Sequence, residues 1–493
     1  MEDGVHPFLG LFFSKDIVPY VPALTLRLVH GFESRNDEDL NEYIGTKSSS
    51  LAAWMTSVVK IFLLPFQLFQ MLFPSKYGHR TLSECSLALL LILSYQVANV
   101  YHPLGLRSNP YKDTLSTVSN SDSVAVSLSE TLSLSFQRLY DVLISTVDGE
   151  GLMLLFLLLQ SNSLFKNYIL AKSDIELLLM PLISSIYSLQ NKDAQQTNIG
   201  VLVLLIISGD TNISYYLHDR IEIPYVHWYK EAILYKISLG SLIMLILLRK
   251  LQTNFAHSKD LFLHSNLLAC LSNLSGNASH VHAHTSQKLI SLLSYCSRKF
   301  VSLSGGHQDD HGSPQLDLDV NGDGHPEDLS TFGDFIRVLL DVVHACLVER
   351  LIETNLDLIY CLVHDLQLLE PLSTNETYWD VVSNLSKISA FFGQFAAQAD
   401  QPGVSIHDIK KLMKANMKVF RQTVCSGLRD IPHSYYAYEE TADASNYFLP
   451  FIWELAIRNC EIYFRSAGIE LVEVESVRFC VQVFLIFVLE ELY

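Results

Sequence analysis

The chain is built from apolar runs that stop short. "LALLLILSYQ" (87–96), "GLMLLFLLLQ" (151–160), "IGVLVLLIIS" (199–208) and "ISLGSLIMLILLRK" (237–250) each break off after about three helical turns. A helix crossing a bilayer needs roughly 20 apolar residues in succession. Shorter runs that are hydrophobic on most faces are satisfied by burial among other helices. Period counting predicts roughly 15 to 20 helices, with no strand-rich block and no β–α alternation. At 493 residues the chain is too long for one simple core. The expected fold is therefore all-α, an elongated α-solenoid of HEAT/armadillo-like helix pairs, in which every helix finds apolar neighbours on both sides.

Charge narrows the partners. The formal net charge is −18, the wrong sign for gripping phosphate backbones, so nucleic acid is not an expected partner. The eight cysteines form no C-x-x-C pair, and most sit in apolar runs such as "LLACLSNL" (267–274). They read as reduced, buried side chains. Of the five N-x-S/T sequons, at Asn212, Asn273, Asn277, Asn375 and Asn384, several fall inside apolar helical patterns where a glycan does not fit. Glu2, Asp3 and Pro7 break the pattern of a signal peptide.

Polar breaks divide the chain. Residues 1–50 read as N-terminal helices and a polar linker, 51–76 as an apolar segment, and 77–301 as the first part of the solenoid. Residues 302–330 form a Gly/His/Asp-rich linker, and 331–493 the C-terminal part. The stretch from 48 to 76 is unlike the others, being rich in Phe with Lys60 as its single charge between Lys47 and Lys76. Pro65 would kink a spanning helix, and Lys60, Gln67 and Gln70 would be costly at mid-bilayer. Two readings stay open: it lies in a membrane interface with Trp54, Phe62, Phe66 and Phe69 in lipid, or it packs inward as an apolar hairpin.

Residues 260–299 carry the best clue to architecture, with two apolar helices flanking a small-residue turn at 275–279. That is the size of one armadillo or HEAT unit. Asn266 and Asn273 lie two turns apart on one face, as candidates for holding a partner's extended backbone or for tying neighbouring helices together. At 173–176, "SDIE" predicts a capping box with Ser173 as cap and Glu176 reaching back.

"DLDVNGDGHPEDLS" (317–330) begins like a calcium loop with Asp319, Asn321, Asp323 and Glu327, but Ser330 stands where a bidentate Glu is needed. An acidic linker is the better reading, and no metal or cofactor is expected. His280, His282 and His284 read as a polar turn between helices, since no acidic or cysteine third ligand lies nearby. G-x-S-x-G, phosphate-loop and H-E-x-x-H motifs are absent, so no enzyme is expected.

Six phrases carry a resemblance: "SNPYKDTL" (108–115), "YILAKSDIELLLMPLISSIY" (168–187), "WYKEAILYKISLGSLIMLILLRKLQ" (228–252), "FLHSNLLACLSNLS" (262–275), "DLIYCLVH" (357–364) and "YFLPFIWEL" (447–455). With them the chain resembles the dymeclin family over about 15–465. The resemblance implies a non-enzymatic helical protein of the cytoplasm that cycles on and off Golgi membranes. It implies support of Golgi organisation and secretory and vesicle traffic as a scaffold, through Golgi or trafficking proteins and the membrane surface. Family members open with a Met-Gly myristoylation signal, whereas Glu2 follows Met1 here, so a peripheral contact not made by N-myristoylation is expected. The chain is expected to begin inside the family pattern, and its last 28 or so residues depart from it. Three other readings stay open: a soluble α-solenoid adaptor for peptide cargo without lipid contact, an integral membrane transporter, and a calcium-switched protein. The residues set no oligomeric state.

Overall fold

The computed structural model describes residues 12–33, 78–122, 132–147, 149–189, 194–256, 259–303, 326–396, 405–440 and 444–459. They are mostly helical, and the strands among them are two short pairs. Two compact units form: residues 1–173 together with 440–493, and residues 174–439. The segment 48–76, with Trp54, Phe62, Phe66 and Phe69, lies outside the described residues, as do Asp319, Asn321 and Asp323.

In the first unit α1 (Val21–Glu33) packs on α2 (Gly78–Ser94), which also meets α3 (Pro110–Thr117). Leu90, Leu91 and Leu93 of α2 are fully buried. After α4 (Phe136–Ser145) comes α5 (Glu150–Ser161), whose stretch Met153–Leu157 is buried on every face, then α6 (Ser163–Leu170). The helix Ala444–Asn459 returns to α2, where Phe448 meets the rings of Tyr95 and Phe156. The "SNP" of the first resemblance phrase is a joint. Asn109 accepts from the amides of Tyr111 (3.0 Å) and Lys112 (3.3 Å), and Pro110 occupies the first helical position of α3. Its Nδ2 donates to the last carbonyls of α2, Leu93 (2.8 Å) and Ser94 (3.1 Å). One side chain thus satisfies a helix start and a helix end.

The second unit is a two-layered ladder. One layer runs α7 (Glu176–Ser188), α10 (Leu239–Ala256), α12 (Ala283–Leu303), α14 (Leu356–His364), α16 (Ile406–Ala415). The other runs α8 (Ala194–Ser208), α11 (Leu261–Ser275), α13 (Pro326–Cys346), α15 (Trp379–Ala396). Each helix touches the next in its own layer. Rungs join the layers at α7 and α8, α10 and α11, α12 and α13, and α14 and α15. This explains the all-round hydrophobicity: every residue from Gln196 to Ser208 in α8 is buried between neighbours. The short α9 (Thr211–Asp219), capped by Asp210, leads into an antiparallel pair, β1 (Glu222–Tyr225) and β2 (Tyr235–Ser238), which the apolar periodicity did not reveal. At its loop Glu231 accepts from Arg249 and from Lys288 (3.1 Å), while Arg249 covers the Tyr187 ring at 4.2 Å.

Among the described residues no single helix is long and apolar enough to cross a membrane. Two pairs reach that length and composition only together, and both are sharply bent: Ser86–Ser94 with Ala98–Leu104 at 89°, and Ala194–Ser208 with Thr211–Asp219 at 98°. The expected capping box at Ser173 does not open α7. The backbone turns through 173–175, Ile175 takes the N-cap position without a side-chain cap, and the amides of Leu177 and Leu178 bond back to Asp174 and Ile175. The box is found instead at α16, where Ser405 and Asp408 bond each other's amides.

Candidate functional site

Asparagine is the recurrent connector of this protein. Like Asn109, Asn162 and Asn355 are buried and spend their amides on main chain. Asn162 donates to the carbonyls of Leu115 (2.8 Å) and Val118 (2.9 Å). Asn355 donates to those of Ala278 (2.6 Å) and Cys346 (2.7 Å). A primary amide suits this use because it carries a donor pair and an acceptor on one short arm. These three bridge helix ends and turns.

Asn273 and Asn384 do something different. Both are 0% exposed, yet each reaches a single residue of an extended surface segment and engages its N–H and its C=O together. Asn273 Oδ1 accepts from Tyr436 N (2.7 Å) while its Nδ2 donates to Tyr436 O (2.8 Å). Asn384 Oδ1 accepts from Arg429 N (2.9 Å) while its Nδ2 donates to Arg429 O (2.9 Å). Between these points Ser272 Oγ donates to Ser434 O (2.9 Å). Residues 429–439 have no helix or strand of their own and cross the layer α15, α13, α11. The arithmetic fits: seven extended residues span about 23 Å, close to two helix spacings of about 10 Å each.

The surroundings refine the arrangement. The guanidinium of Arg429 lies over the ring of Trp379 at 3.7 Å, at the start of α15. His344 Nε2 stands 3.0 Å from Asn384 Nδ2, which makes that nitrogen the acceptor and the ring neutral. Burial holds the His344 pKa below its ordinary value, consistent with that state. Two cavities flank the segment. One of about 360 Å³ lies between residues 431–435 and α13, with Gly276, Asp341 and Glu349 in its wall. The other, about 450 Å³, lies beside residues 436–439 and is walled by Phe262, Leu268, Phe335 and Val338.

Of the two asparagines expected to share a face, Asn266 donates to the Phe262 carbonyl of its own helix (2.9 Å) and borders the larger cavity, and Asn273 holds Tyr436. Sequence reasoning missed Asn384, Trp379 and the crossing segment. A signal for Asn384 was present, because Ser-Asn-Leu-Ser occurs at 272–275 and again at 383–386. The histidine cluster does not share a helix face: His280 sits in the turn with φ 54°, and α12 begins only at Ala283. Glu327 falls in the first turn of α13.

Residues 5–455 match the family described as "Dymeclin: Dyggve-Melchior-Clausen syndrome protein". The chain is similar to mouse Dymeclin, at 28% identity over 75% of this chain and 55% of the relative. It is similar to chicken Dymeclin at 28% over 80% and 58%, and to Dictyostelium discoideum Dymeclin at 30% over 52% and 28%. It spans little more than half the length of the mouse and chicken relatives. No solved structure matches it. With nearly its whole helical part covered by the match, the chain belongs to the Dymeclin family.

Proposed function

We propose that this protein acts by binding: a peripheral Golgi protein that supports Golgi organisation and secretory and vesicle traffic through protein and membrane contacts. Its ladder is read as an α-solenoid of HEAT/armadillo-like pairs, a form suited to extended contact surfaces. The observation that carries the reading is the helix layer crossed by an extended main chain held through Asn273 and Asn384. Family membership supplies the cellular setting. The test is a tagged chain expressed in cells depleted of their own Dymeclin. The expected result is overlap with a Golgi marker and recovery of reporter secretion; a diffuse or plasma-membrane pattern with no recovery overturns it.

The membrane contact is assigned to residues 48–76. Liposome flotation of the purified chain is expected, and its loss when Trp54, Phe62 and Phe66 are replaced by serine. Flotation that survives the triple change removes the lipid role from this segment. A second reading, a soluble adaptor for peptide cargo without lipid contact, is favoured by the same crossing segment, and a chain that never floats supports it. The transporter reading has less support, since among the described residues no single helix is both long and apolar enough to cross a membrane. Retention in the pellet after alkaline carbonate extraction would revive it.

A further inference from the structure

We propose that the amide-bearing face of α11, α13 and α15 is a groove for an extended, arginine-bearing peptide of a partner protein, and that residues 428–439 are its occupant in cis. The inference deepens the binding role proposed above, but it does not depend on the Golgi setting.

The contact is of a kind that transfers between chains. Asn273 and Asn384 bind N–H and C=O of one residue each, groups that every extended peptide offers. Such recognition is independent of the side chains and is therefore exchangeable between chains. The segment is also lightly seated. Tyr435 and Tyr436 are 45% and 40% exposed, and Arg429 and Asp430 face solvent. Few buried apolar contacts mean a segment that opens far below the global unfolding free energy. Its fit is incomplete. Cavities of about 360 and 450 Å³ lie along the segment, one polar and mixed in charge, with Asp341 and Glu349 beside Arg350 and His433, and one mainly apolar with Phe262, Leu268 and Phe335. A competing peptide gains by filling them.

The partner's chemistry follows. An arginine belongs over Trp379, where Arg429 now lies at 3.7 Å. A residue free to donate its amide belongs seven places later, opposite Asn273. An apolar or aromatic side chain just beyond it reaches the larger cavity. Basic character is favoured by Asp334 in the wall of the larger cavity and by the net charge of −18.

The test uses the full chain and a fluorescein-labelled peptide of residues 427–440. Tyr436→Pro deletes the amide bound by Asn273 and loosens the segment without changing the groove. The peptide is expected to bind the Tyr436→Pro chain at least 10-fold more tightly than the wild-type chain in fluorescence anisotropy. Peptides carrying Arg429→Ala or Tyr436→Pro are expected to bind that same chain at least 10-fold more weakly, a comparison free of folding effects. Trypsin should cut after Arg429 at least 10-fold faster in the Tyr436→Pro chain. Should that chain misfold, Arg429→Ala, which alters an exposed side chain, replaces it, with chymotrypsin cleavage after Tyr435 as the readout. Equal peptide affinity for wild-type and loosened chains overturns the proposal. So do absence of binding to either chain, undiminished binding of the altered peptides, and equal cleavage rates. Golgi localisation is measured separately, so each claim fails on its own.

Discussion

At the scale of single residues, stability rests on side chains that close several main-chain accounts at once. Asn109→Ala would strand two helix-start amides of α3 and two end carbonyls of α2. A loss of about 2–3 kcal/mol is expected, read as a lower denaturant midpoint. Asn109→Asp keeps the acceptor but not the donors, so an intermediate loss is expected. His218 is a second pressure point: fully enclosed against α10, it is held down to about 4 by burial. Its unfolded pKa is near 6.5, so the unfolded chain takes up the proton first as acid is added. The stability it permits is present above pH 6.5 and is lost as the pH falls from 6.5 toward 4, at most about 3 kcal/mol. Denaturation midpoints at pH 7.5 and 5 should differ less in His218→Leu than in the parent chain.

At the scale of elements, what was legible and what was not separate by the kind of force involved. The buried runs were legible because apolar periodicity reports burial directly: Leu90, Met153, Val203 and Leu245 are all enclosed. The pair of helices around the turn at 275–279 was legible for the same reason, with α11 and α12 on either side. The Ser173 cap was not, because cap chemistry depends on where the backbone turns, and Ser405 makes the same motif with Asp408 in place of Glu. Asn273 was read as a contact residue or as a tie between helices. Its actual target, Tyr436, lies 163 residues away and no local pattern names it. The hairpin β1–β2 escaped because only four residues form each strand. A packing constraint equally hidden from sequence is Gly240 in α10, where an added Cβ would lie 2.6 Å from the His218 ring. Gly240→Ala should cost about 1–3 kcal/mol, seen as a lowered thermal midpoint without loss of helical circular dichroism at 20 °C or so.

At the scale of the whole molecule, the cysteines serve as reporters of opening. Cys270, Cys296 and Cys346 are buried in the second unit, and burial pushes the Cys296 and Cys346 thiols up to about 12. Cys361 and Cys425 are half-exposed there, with Cys361 raised to about 11. Of these five, maleimide labelling at pH 8, followed by peptide mapping, is expected to modify Cys425 and Cys361 first. The three buried thiols should react only as denaturant opens the ladder; early labelling of Cys270 would contradict the packing of α8 on α11.

A ladder in which helices lean mainly on their flanking neighbours is compliant along its length, because small rotations at each rung add in series. The segment pinned at Arg429 and Tyr436 has a fixed contour, so while seated it acts as a ruler laid over α15, α13 and α11. Lifting it would free the curvature of that stretch, and a change in peptide occupancy would thereby become a change in bend.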